Sequence, residues 1–120
     1  MKYMILTFGD EATMREQRSP EWIREMISFM GELNGDLAES GELVSGEGLT
    51  DPTQAKTVRH QGGSAVPTDG PFAEAKESLA GFWIVDVETE DRAVEIASRI
   101  VDFVEEPIEV RRIADAPPEV

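Results

Sequence analysis

The sequence predicts an α+β fold with the order β-α-β-β-α-β and a hairpin inserted before the third of these strands. Three observations predict it. Two short runs, near residues 2–8 and 82–87, are apolar on nearly every position. Two longer stretches repeat apolar residues at helical spacing behind good N-cap residues. Clusters of Gly, Pro, Asp and Asn-like turn formers separate these segments.

Residues 2–8 read as a strand with Tyr3, Ile5 and Thr7 on one face and Met4, Leu6 and Phe8 on the other. Ser19-Pro20-Glu21 then opens a helix, with a hydroxyl cap, proline at the first helical position and an acid near the positive end of the dipole. Ile23, Met26, Ile27, Met30, Leu33 and Leu37 form its apolar stripe, and Gly41 stops it. Gly31 and Gly35 each cost this helix about 1 kcal/mol relative to alanine, which points to close packing or a weakened last turn. Leu43 to Leu49 is the second strand. Ala55–His60 and Ser64–Thr68 flank Gln61-Gly62-Gly63 as a hairpin, and Asp69-Gly70-Pro71 breaks the chain again. Phe82 to Val87 is the most apolar strand. Thr89 caps a second helix whose stripe is Ala93, Ala97, Ile100, Val101 and Val104; Pro107 ends it, and Ile108–Ile113 is the last strand.

Without the inserted hairpin this is the ferredoxin-like, split βαβ unit, an antiparallel sheet with two helices on one face. The two most apolar strands belong at its centre and pair there. Two helices cover only one sheet face, yet residues 3–8 and 82–87 place large apolar side chains on both. The uncovered set exceeds the few hundred Å² usual for a monomer, so a two-fold homodimer burying more than about 1,000 Å² is expected.

The chain has 120 residues, the size of one domain, so residues 1–120 are read as a single domain. It contains no cysteine, which excludes disulfides, thiolate metal sites, iron–sulfur clusters and a cysteine nucleophile. The net charge of −14, from 25 acids and 11 bases, opposes nucleic-acid binding. No segment approaches the ~20 apolar residues of a membrane span, and the N-terminus lacks the apolar core of a signal peptide. A cytoplasmic protein without nucleic-acid or membrane partners is the expectation.

Residues 69–77 read Asp69-Gly70-Pro71-Phe72-Ala73-Glu74-Ala75-Lys76-Glu77, followed by the glycine-bounded aromatic strand Gly81-Phe82-Trp83-Ile84-Val85. With Lys2-Tyr3-Met4-Ile5-Leu6 and Val44-Ser45-Gly46-Glu47-Gly48-Leu49, this resembles the YCII-related family of the DGPF type over nearly the whole chain. The resemblance implies a dimeric α+β barrel assembly and a possible sigma-factor-linked stress or regulatory setting, and implies no assigned reaction. In the family's shorter branch a histidine near the start of the first helix, with a later aspartate, is suggested as a catalytic pair. Here Trp22 stands at that place, so that role has no carrier.

Six residues are candidates for ligand binding: His60, Asp69, Phe72, Glu74, Lys76 and Trp83. Asp69-Gly70-Pro71-Phe72 has a structural reading as a turn anchored by Phe72 and a functional one as a charged loop on a rigid sheet. Lys76 between Glu74 and Glu77 reads as a solvated ion pair or as a contact for an anionic or carbonyl group. His60 is the sole histidine and sits by an exposed hairpin end. Trp22 and Trp83 read as core or interface residues, or as the lining of an apolar cavity. Carboxylates such as Asp51, Asp69 and Glu74 show no ligand spacing, so neither a metal nor a cofactor is expected. The leading expectation is a dimeric small-molecule-binding protein. A cofactor-independent oxygenase, isomerase or lyase, with His60, Asp69 or Glu74 as acid/base, is the alternative, and a protein-interaction adaptor is a third.

Overall fold

The computed structural model describes residues 1–72 and 78–119. Strand β1 (Lys2–Phe8) leads into a short helix α1 (Glu11–Gln17) and a long one, α2 (Pro20–Ser40). Strand β2 (Leu43–Gly48), a 3₁₀ turn (Pro52–Gln54) and the hairpin β3 (Lys56–Gln61) and β4 (Ser64–Asp69) follow. Strand β5 (Leu79–Asp86), helix α3 (Glu90–Val104) and strand β6 (Glu109–Arg112) complete the chain. The main sheet runs β2-β5-β1-β6 with every pairing antiparallel, the order expected of a ferredoxin-like β-α-β-β-α-β unit. As anticipated, β1 and β5 are paired at its centre.

The register sorts the faces. Tyr3 lies opposite Val85 and Ile5 opposite Trp83, and all four are buried. They pack on Leu33 and Leu37 of α2 and on Ala93, Ile96, Ala97 and Ile100 of α3, the core of the molecule. Met4 and Ile84, and Leu6 and Phe82, are the alternate pairs, on the opposite face and only half-buried. Tyr3 and Ile5 are therefore the inward set, and Met4 and Leu6 lie on the face without helices. In α3 the stripe includes Ile96, while Val101 is half-buried rather than part of the core.

The helix caps are those the sequence indicates. Ser19 and Thr89 accept hydrogen bonds from the backbone N–H groups of Trp22 and Arg92, and Gly41 (φ 80°) closes α2. Helix α1 was not expected. Asp10 caps it by accepting from the Thr13 N–H at 2.7 Å and the Thr13 hydroxyl at 3.0 Å, and Arg15 pairs with Glu11 one turn back. Gly31 and Gly35 do not mark close packing: a Cβ on either would meet nothing within 4 Å.

Helix α2 is longer than the sheet it crosses. Its 21 residues span roughly 31 Å at 1.5 Å each, against roughly 20 Å for a six-residue strand such as β2. The C-terminal half packs on the sheet through Leu33 and Leu37, and the N-terminal half overhangs it. That overhang is propped by α3: the Phe29 and Phe103 rings stack at 4.8 Å, and Trp22 lies 5.5 Å from Phe103. Arg18 adds a clamp, its guanidinium 4.4 Å above the Trp22 ring while donating to the Val104 carbonyl at 2.8 Å.

Hairpin β3–β4 forms its own two-stranded sheet, turned through Gly62 and Gly63 at positive φ. Its residues are exposed apart from the half-buried Thr57, Arg59 and Val66. It stands out as an arm, and the radius of gyration of 16.7 Å exceeds the roughly 14 Å of a compact chain this long.

One ion pair ties the start of β2 to the start of α3. Arg92 donates to both carboxylate oxygens of Glu42, each at 2.8 Å, and Ser40 donates a third hydrogen bond. The Arg92 guanidinium holds the Glu42 carboxyl below its ordinary range, against the opposing effect of burial. A carboxyl depressed by folding stabilises above its unfolded pKa, and that stability disappears as pH falls through the folded value. Arg92→Met is therefore expected to cost about 1 kcal/mol near neutrality. Urea unfolding against pH should show the deficit shrinking as Glu42 becomes protonated below the usual carboxylate range.

Candidate functional site

The overhang of α2 leaves a cleft of about 950 Å³ between its N-terminal half, helix α1 and the ends of β1, β2 and β5. Ile23, Met26 and Met30 form one wall, and Thr7, Gly46 and Trp83 lie across from them. Ile27 (62 % exposed) and Leu49 (48 % exposed) leave apolar surface at its rim. The volume is in the range of small-molecule sites, and flexible methionines adapt to varied shapes.

A polar anchor lies among these apolar groups. The Trp83 indole N–H donates to Asn34 Oδ1 at 2.8 Å. Because an indole nitrogen only donates, the oxygen of the Asn34 amide must face it, which leaves Nδ2 as a donor. Asn34 lines the cleft, and its Nδ2 meets no protein acceptor among the described residues. Across the floor the Thr7 hydroxyl donates to the Gly81 carbonyl at 3.2 Å. Two glycines make this floor possible. A Cβ at Gly46 would stand 2.9 Å from Trp83 Cδ1 and 3.3 Å from Nε1, and one at Gly81 would stand 2.9 Å from the Glu47 carbonyl oxygen. Either contact would force the floor apart.

Carboxylates sit at the mouth: Asp10, Glu11, Glu47 and Asp51. The Thr53 backbone N–H, then its hydroxyl, hold the Asp51 carboxyl below its usual range. Asp51 is thus ionised at neutral pH and a poor base. Among the described residues no three Asp, Glu or His side chains are grouped as metal ligands.

The candidates from the sequence fall in two places. Trp83 lines the cleft, and Trp22 lines its far end while packing on Phe103. His60, Asp69 and Phe72 belong to the arm and the turn after it, all exposed, and none lines the cleft. Asp69 pairs with Lys56, and the Arg59 guanidinium sits 5.2 Å from the Phe72 ring. Glu74 and Lys76 lie outside the described residues. Asn34, Thr7 and the Met26–Met30 wall were not singled out as site residues. An asparagine inside a helix, where it is disfavoured, was the signal available for Asn34.

Sheet order and cleft together define a small α+β domain with a cleft of mixed apolar and polar lining beside an antiparallel sheet. The comparisons agree with that class. The profile of the YCII-related domain matches residues 1–117. An uncharacterized protein of Rhizobium meliloti (strain 1021) is 34 % identical over 97 residues, covering 81 % of this chain and 77 % of its own. The chain belongs to the YCII-related family. No helix is long and apolar enough to cross a membrane among the described residues.

Gly46→Ala should displace the Trp83 indole from Asn34 and destabilise the fold by about 1–3 kcal/mol. The indole N–H resonance of Trp83 should shift with it. Gly48→Ala, where a Cβ meets nothing within 4 Å, is the control and should leave that resonance in place.

Proposed function

We propose that this protein is a homodimeric binding protein for small, largely apolar molecules seated in the cleft beneath α2. The observation that supports this most is the cleft itself: a methionine and isoleucine wall, a tryptophan floor and an amide donor at Asn34 without an acceptor among the described residues. An apolar wall facing a side-chain amide donor, with polar groups at the mouth, is the composition of sites that seat and orient small molecules. Catalysis has weaker support, because His60 and Asp69 stand on the arm and Asp51 is held ionised. A stress-linked or regulatory setting, implied by the DGPF resemblance, suits a sensor of this kind.

The dimer reading rests on the helix-free sheet face. Met4, Leu6, Phe82 and Ile84 lie there, half-buried and outside the core cluster of the described residues. Apposing this face with its two-fold copy would give the closed, isologous contact of a dimeric α+β barrel.

A thermal-shift screen with small carbonyl, phenolic and lipid-like compounds tests the ligand reading. Upward shifts are expected for apolar compounds, and Met26→Asp, which places a charge in the wall at a residue outside the core cluster, should abolish them. No shift from any class would overturn the reading. Light scattering at micromolar concentration should give twice the 13.3 kDa chain mass, and Leu6→Asp should dissociate or unfold the dimer.

A further inference from the structure

A second, smaller pocket of about 260 Å³ opens beside the cleft, lined by Arg15, Arg18, Pro20, Ile23 and Arg24. Three arginines line it with Pro20 and Ile23, their aliphatic stems forming much of its surface, and no acid is among the lining residues of this pocket, in a chain with 25 acids and 11 bases. Bringing three like charges to one place costs free energy unless something of opposite sign relieves it. The protein relieves it only in part. Arg15 engages Glu11 through Nε and one terminal nitrogen, leaving the other free of that carboxylate. Arg18 spends one terminal nitrogen on the neutral Val104 carbonyl and lies 4.0 Å from Glu106. The Arg24 guanidinium has no ion pair or hydrogen bond among the described residues.

The pocket adjoins the cleft, since Arg15, Arg18 and Ile23 line both. From Ile23 the apolar wall runs on through Met26 and Met30, one helical turn at a time. We infer that the cleft takes a small amphiphile with an anionic oxygen head, a carboxylate or a phosphate monoester, held by Arg15, Arg18 and Arg24. Its apolar tail lies along Met26 and Met30. Guanidinium groups suit such heads because their fixed fork matches the spacing of two oxygens. The net charge of −14 opposes the many charges of an anionic bilayer far more than the one or two of a single head group, so the head belongs to a free molecule rather than to a bilayer. This inference rests on the cleft being a binding site.

Calorimetric titration of the whole protein with octanoate, octyl phosphate and octanol at low salt separates the two claims. One of the anionic ligands should bind at least about tenfold more tightly than octanol, as expected for hydrogen bonds to a charged group. The stronger of the two identifies the head. Arg24→Gln, at an exposed residue, should keep the wild-type melting temperature and bring the ratio close to one, and Arg15→Gln should act in the same direction. Octanol binding as tightly as both anions, or a ratio unmoved by both substitutions, would overturn the anionic head and leave the apolar cleft standing. Binding by none of the three would remove both.

Discussion

The rest of the structure depends on a sheet whose two central strands are apolar on both faces. In β1 and β5 the antiparallel register pairs odd-numbered residues with odd, Tyr3 with Val85 and Ile5 with Trp83. One choice of face therefore sorts both strands at once, and a one-residue slip would exchange the whole set. The helices settle that choice. Leu33, Leu37 and the α3 stripe close over Tyr3, Ile5, Trp83 and Val85, and the alternate residues lie outside that core, only half-buried. Burial of the first set at roughly 25 cal/mol per Å² drives folding. The second set has the same chemistry and no helix to meet, and that asymmetry supports the two-fold partner.

The cleft is a second consequence of the same architecture. A long helix laid on short strands must overhang them, and here the overhang carries Ile23, Met26 and Met30 toward the strand ends. Left alone, an overhang of this kind would collapse onto the sheet or fray. Phe29 and Trp22 against Phe103, with Arg18 on the last carbonyl of α3, hold it at a distance. The aromatic prop and the arginine clamp thus keep the cleft open, and Trp22 and Arg18 also form part of its lining. Gly46 and Gly81 act from the opposite side by letting Trp83 and the strand backbones approach closely.

Much of this was legible in the sequence, because local rules decide it. Ser19-Pro20, Thr89 and Gly41 mark the helix ends through backbone hydrogen bonding that only a few residue types can supply. The order of strands followed from periodicity and turns. Helix α1 escaped notice because its seven residues bury nothing and show no stripe, although the Asp10–Thr13 cap was there to be read. The site was harder to read. Ile23, Met26 and Met30 look identical in sequence to core residues such as Leu33, and only the mismatch of helix and strand lengths separates them. The charged DGPF segment attracted attention to the arm, whereas His60, Asp69 and Phe72 lie exposed, away from the cleft.

Methyl NMR of the five methionines with a soluble paramagnetic agent tests the two-faced sheet most directly. Met4 on the helix-free face and Met26 and Met30 in the cleft are all half-buried within one chain, so an isolated chain would broaden them to a similar degree. If a second copy covers the sheet, the Met4 resonance stays sharp while Met26 and Met30 broaden, and the latter two recover when an apolar ligand is added. A Met4 resonance that broadens as strongly as that of Met30, at micromolar protein concentration or above, would contradict the account.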